Sequence, residues 1–330
     1  MNDNSVFLDI APGDKVGDKA AIKLEPASDY FQVNNRVVTS APGTKKEVGI
    51  HRDPGSKRIE LWGSIPLDSK TEGEEIAVED PAEFAAQIFR ELLIKRGIAV
   101  LGSYRAKHIV ASDEPAFPEP GGAVTARQAT PQASPQIASA PVQTVLAMHE
   151  SKPLFEDLRV INKVSQNLHA ELALRLLGRL KANNGSIAGG LSVLKTFLAQ
   201  AGIQPDEYFF RDASGLSRET LATPAAFTKL LRYAYSQPWA SQYLDTLPKS
   251  AVDGSLRERL NHDHAKEHVR AKTGLYEHVR TLAGYANTAS GNNVAFSIMA
   301  NNTLEGRHAA ETIDKIVEAI VEDKTEEKQK

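Results

Sequence analysis

Lys272, Thr273 and Gly274 stand side by side in the stretch VRAKTGLYEHVRTLAGY, residues 269–285. At the end of an exposed strand, an ammonium beside a hydroxyl is suited to holding a carboxylate through charge-assisted hydrogen bonds. A glycine after them lets a second peptide backbone lie close against the strand and extend the sheet. Two further stretches, KVSQN at 163–167 and DASGLSR at 212–218, cluster hydroxyl, amide and carboxylate groups. Ser165 and Asn167 also read as helix caps, and Asp212, Ser214 and Gly215 as an Asx-type turn.

A serine nucleophile needs a base within hydrogen-bond reach, and a lysine one helical turn on supplies it. The one Ser-x-x-Lys in the chain is Ser192 to Lys195, in GGLSVLKTFLAQ. On a helical wheel Ser192, Lys195 and Ala199 lie opposite Leu191, Val193, Leu194, Phe197 and Leu198, which makes theirs a solvated face. The chain has no cysteine, so thiol catalysis, disulfides and thiolate metal sites are excluded. In NHDHAKEH, His264 and His268 are four apart with His262 and Asp263 beside them. No Glu follows the first His as a zincin motif requires, and a loop is expected there, so neither metal nor cofactor is assigned.

The elements that must position these groups read as two units. Up to about residue 79 the pattern is of strands: Val6, Leu8 and Ile10 alternate, as do Ile59 and Leu61, while FQVNNRVVT carries turn-prone Asn34 and Asn35 between apolar pairs. Asp80 and Pro81 start a helix in which Phe84, Ile88 and Leu92 recur every four residues before Gly97 stops it. Residues 112–141 hold six of the chain's 17 prolines and read as a linker. A short strand, VQTVLAM, is expected next, then helices near 153–162, 168–181, 189–201 and 224–236. Strands follow at 268–273, 279–288 and 293–300, the last two a hairpin through SGNN. An amphipathic helix with Ile313, Ile316, Val317 and Ile320 precedes a charged tail.

Ser-x-Asn and Lys-Thr-Gly, in that order and about a hundred residues apart, match two of the three elements of penicillin-binding proteins and class A β-lactamases, whose first is Ser-x-x-Lys. NKVSQNLHAE, DASGLSR, LPKSAVDGSLRERL and AKTGLYEHVRTLAGY together resemble the D-alanyl-D-alanine carboxypeptidase/endopeptidase family of serine peptidases, the class C low-molecular-mass penicillin-binding proteins. The resemblance covers about residues 145–321. Residues 1–110 resemble, less specifically, part of the domains that the family inserts between its first and second motifs.

The resemblance implies an α+β fold: the C-terminal portion of a penicillin-binding transpeptidase/β-lactamase-like core, an antiparallel sheet with helices, plus a β-rich inserted domain. The expected organisation is 1–111 for the inserted domain with its closing helix, 112–141 for the linker, 142–322 for the catalytic portion and 323–330 for the tail. It implies that Lys272 and Thr273 hold the terminal carboxylate of a D-Ala-D-Ala peptide or β-lactam and that Gly274 lets the substrate backbone approach. The Leu275 amide is then one oxyanion donor, the other being the nucleophile's own amide. Ser165 relays a proton to the leaving amine, and Asn167 hydrogen-bonds the substrate amide and helps hold the lysines. Leu275 departs from the family, where a hydroxyl residue is usual.

No Ser-x-x-Lys precedes Ser165, so the chain is expected to lack the family's amino-terminal part and to be a poor or inactive enzyme. The alternative is a non-catalytic module that binds peptidoglycan stem peptides or β-lactams, and a separately encoded amino-terminal segment is a candidate partner. Without that part, the sheet is expected to leave an unpaired edge and some apolar face open. The net charge of −3, with no basic block, argues for no nucleic acid or anionic membrane. The sequence as written shows no signal peptide or transmembrane helix, which places it in the cytoplasm, whereas an intact family member is periplasmic or extracytoplasmic.

Overall fold

The computed structural model describes residues 2–107, 147–262, 264–304 and 306–324. The chain divides into two compact units, 1–113 and 114–330. In the first, β1 (Ser5–Ala11) is flanked by β2 (Ala21–Glu25) and β6 (Glu72–Ala77) in one antiparallel sheet. A second sheet has the order β3 (Gln32–Ser40), β5 (Arg58–Pro66), β4 (Glu47–His51), with β3 parallel and β4 antiparallel to β5. The period of two places Val6, Leu8 and Ile10 of β1 and Ile59 and Leu61 of β5 in one core, fully buried. Phe84 and Ile88 of α1 (Pro81–Lys95) close it, and Asp80 caps that helix by accepting from the Glu83 amide.

Asn34 and Asn35 do not make the turn their types suggest; both lie inside the continuous β3. Their amides are used elsewhere. Asn34 donates to Glu60 on the neighbouring strand, while Asn35 donates to the Ala20 carbonyl and accepts from the Val37 amide. Tertiary partners thus override a local preference. The linker at 112–141 lies outside the described residues, as do the first five residues of VQTVLAM; the last two, Ala147 and Met148, are not in a strand.

The second unit begins with α2 (Leu154–Val164), α3 (Asn167–Ala182) and α4 (Ile187–Gln200). A two-stranded pair, β7 (Tyr208–Phe209) and β8 (Leu221–Ala222), leads to α5 (Pro224–Tyr235) and the short α6 (Ala240–Thr246), which the apolar pattern did not signal. The main sheet is antiparallel in the order β11 (Asn293–Ala300), β10 (Val279–Asn287), β9 (Val269–Tyr276), so β9 and β11 are its outer strands. On one face Leu282 and Ala286 of β10 pack with Ile313 and Val317 of α7 (Gly306–Val321). On the other, Tyr285 packs with Leu231 of α5 and Leu247. Burying a Leu, Ile or Val side chain contributes roughly 1.5–3 kcal/mol, so packing on both faces fixes sheet and helices together.

In the second unit apolar surface is open on a helix as well as at Leu275 of β9. Leu172, Leu176 and Leu180 of α3 form an exposed stripe one turn apart, while both faces of the three-stranded sheet are packed. Among the described residues, no helix is long and apolar enough to cross a membrane.

Candidate active site

β9 carries the Lys-Thr-Gly, and its backbone decides what faces outward. Segment 248–250 runs along its start: Ser250 N donates to Val269 O at 3.0 Å, Val269 N to Ser250 Oγ at 3.2 Å, and Ala271 N to Pro248 O at 3.0 Å. Backbone groups in an antiparallel strand alternate between its two edges. Since those of Val269 and Ala271 point away from β10, those of Thr273 and Leu275 point the same way.

Ser165 reaches this strand from the sharp turn between α2 and α3. It ends α2 in the left-handed region, φ 60° and ψ 48°, a conformation uncommon for a residue with a Cβ. It is therefore a C-terminal cap by backbone, and the N-cap of α3 is Gln166, whose side chain accepts from the Leu168 amide. The turn leaves the hydroxyl exposed, and Lys272 Nζ donates to Ser165 Oγ at 2.7 Å and to Thr273 O at 2.7 Å. Burial pushes the Lys272 ammonium down to about 8, because the charged form loses hydration without a carboxylate to replace it. Thr273 Oγ1 donates to Ser255 Oγ at 2.7 Å. Asn167 opens α3, exposed, two residues beyond Ser165.

Gly274 has a second reason for being bare. It pairs with Thr281 of β10, and a Cβ built on it would collide with the Thr281 hydroxyl. Gly274→Ala is expected to lower stability by about 1–3 kcal/mol, the usual range for overpacking, because β-branched Thr281 has little rotamer freedom with which to move aside. Denaturant unfolding checks this; an unchanged midpoint and slope would count against it.

The sequence-derived groups separate into two sets. Ser165, Lys272, Thr273 and the outward edge of β9 come together. Asp212 instead organises its own loop: it accepts from the Ser217 amide, Ser214 Oγ and Thr220 Oγ1, while Glu171 of α3 accepts the Ala213 and Ser214 amides. Ser192 and Lys195 lie exposed on α4, whereas Leu198 of the same helix is buried. His262 Nε2 lies 3.7 Å from Glu318 Oε1, and Asp263 is outside the described residues. Sequence reasoning missed Lys163, Asp253 and Ser255, which join this site through contacts between residues far apart in the chain.

The profile of the D-Ala-D-Ala carboxypeptidase 3 (S13) family matches residues 1–116 and 122–322. The chain belongs to this family. The D-alanyl-D-alanine carboxypeptidase of Actinomadura sp. (strain R39) is 31% identical over 290 residues, covering 86% of this chain and 49% of the relative. The D-alanyl-D-alanine carboxypeptidase DacB of Haemophilus influenzae is 26% identical over 313 residues, covering 93% of this chain and 58% of the relative. The chain thus spans about half the length of these relatives. The crystal structure of Haemophilus influenzae penicillin binding protein 4 (dacB), complexed with a β-lactam, superposes with a TM-score of 0.64 at 23% identity, over 97% of this chain and 70% of that one. At that identity the likeness is one of α+β fold.

Proposed function

We propose that this S13 chain supplies the substrate-holding wall of a serine-type D-Ala-D-Ala carboxypeptidase/endopeptidase for peptidoglycan stem peptides. Its 330 residues alone bind such peptides or β-lactams without acyl transfer. The observation that carries the reading is the Lys272–Ser165 contact of 2.7 Å beside the outward edge of β9. A peptide whose C-terminus lies along β9 meets, in order, a cation, a hydroxyl and a backbone N–H, from Lys272, Thr273 and Leu275. Gly274 keeps that surface low.

In this reading the Lys272 ammonium exchanges its bond to Thr273 O for the substrate carboxylate, and Thr273 Oγ1 turns from Ser255 to the same group. The Leu275 amide donates to the scissile carbonyl oxygen as negative charge develops there. Ser165, held by Lys272, relays to the leaving D-alanine nitrogen the proton that the attacking hydroxyl gives up, and Asn167 takes the substrate amide. The attacking hydroxyl is not assigned to any serine of these residues, since no Ser-x-x-Lys precedes Ser165.

A second reading draws on the same contact. Ser165 and an amine depressed to about 8 have the spacing of a nucleophile and its base. Isothermal titration with a D-Ala-D-Ala-terminated peptide, run with an assay for released D-alanine, separates the two. Affinity without release supports the proposed binding wall; release abolished by Ser165→Ala supports the second; no affinity sinks both.

A further inference from the structure

Lys163 lies in the last turn of α2, two residues before Ser165. Its Nζ donates to both Asp253 oxygens, at 2.8 and 2.6 Å, and to Leu247 O at 2.7 Å. Asn162 beside it donates to Thr246 Oγ1 at 2.7 Å. These bonds fasten the end of α2 to the last residue of α6 and the 247–255 loop that follows it. The same loop is fastened to β9: Asp253 Oδ1 accepts the Lys249 amide, Lys249 bridges to Arg270, and Ser255 Oγ accepts Thr273 Oγ1. The seam has no slack, because Gly254 sits at φ +56° and a Cβ there would lie 2.5 Å from Lys163 O.

We infer that Lys163 is a positioning residue: paired with Asp253, it locks the turn carrying Ser165 onto the loop that holds Thr273, and so sets the contact between Ser165 and Lys272. Two walls from distant parts of the chain are thereby given one spacing. The Lys163 side chain is 15% exposed, so removing its partner's charge leaves an uncompensated, largely buried ammonium rather than a solvated one. Burial alone pushes the Asp253 carboxyl up, but the Lys163 ammonium and the Lys249 amide outweigh it and hold the group below its usual value. The pair is therefore a fixed charge contact near neutral pH. This role deepens the proposed carboxylate-holding function and rests on it for its effect on ligand binding; the contact geometry itself does not.

Lys272 reports on the enclosure, since burial is the cause of its depression to about 8. In Lys163→Met, water is expected to reach Lys272 as the turn moves off, raising its proton affinity about tenfold, one pH unit, by lysine side-chain NMR. Lys163→Arg is expected to keep most of the wild-type titration. A folded Lys163→Met chain whose Lys272 titrates as in the wild type, with only a lower Tm, would overturn the inference and leave Lys163 a plain structural pin. Asp253→Asn, which keeps the shape of the acceptor, is expected to move Lys272 in the same direction by about threefold; no movement overturns the inference too. Failure of both variants to fold would likewise overturn it, by assigning the pair to the fold as a whole. Should Lys272→Ala leave peptide binding intact, the proposed function fails, while the Lys272 titration still decides the role of Lys163.

Discussion

Incubated with a labelled penicillin, the purified 330-residue chain is expected to carry no covalent label, at any reagent concentration that saturates a carboxylate-holding site. Removing the nucleophile from a serine peptidase costs roughly a million-fold in turnover, a figure measured on subtilisin. Binding and oxyanion contacts that remain lower the barrier only for an attack by some other group. Here the candidate serines differ in what they lack. Ser192 has its lysine one turn away but stands on the exposed face of α4. Ser165 has Lys272 within 2.7 Å, yet the proposed role uses that ammonium in its charged form, which cannot act as a base.

Mass spectrometry of a digest decides among these outcomes. No adduct supports the proposed binding wall. An adduct on Ser165 that disappears in Ser165→Ala sinks it, and makes the Ser165–Lys272 pair a nucleophile and base. An adduct on Ser192 would show that the motif works in a rearranged order, against its solvated position.

Legibility of the fold followed the range of the interactions. Val6, Leu8 and Ile10, or Phe84 and Ile88, state their partners by spacing alone, because a strand or helix buries one face. The hairpin of β10 and β11 was equally local: its loop closes through Thr288 and Asn292, with Asn287 paired to Asn293. By contrast β2 alternates exposed and half-buried positions, and β6 is almost wholly exposed and acidic, so neither shows the apolar period of a core strand. Asn34 and Asn35 misled because both donate their side-chain amides to distant partners, Glu60 and the Ala20 carbonyl, and only Asn35 also takes a near neighbour, the Val37 amide.

The site divides along the same line. The alternation that turns Thr273 and Leu275 outward is a property of β9 itself, but which edge is outward depends on Pro248 and Ser250. The Lys163–Asp253 pair joins residues 90 apart. Neither letter looks catalytic in isolation; a lysine near a helix end and an aspartate before a glycine are ordinary surface and turn signals. Only folding gives them a common purpose.

Lys272→Ala is expected to weaken a D-Ala-D-Ala-terminated peptide about thirtyfold, close to 2 kcal/mol, the worth of one charge-assisted hydrogen bond in a half-buried site. Two pH dependences of opposite sign separate this role from a structural one. Ligand carboxylate needs the ammonium, so affinity should fall as pH rises through about 8, the Lys272 value. Stability should move the other way. Between about 8 and the unfolded-state value of 10.5 the unfolded chain binds the extra proton, so stability rises with pH across that window, by at most about 3 kcal/mol. Below about 8 both states hold the proton and the burial of the charge is fully felt. Lys272→Met should remove both the affinity step and the stability rise. If affinity instead stayed level from pH 7 to 9.5 in the wild type, Lys272 would not be the carboxylate's partner, and the outward edge of β9 would have to hold the peptide by backbone alone.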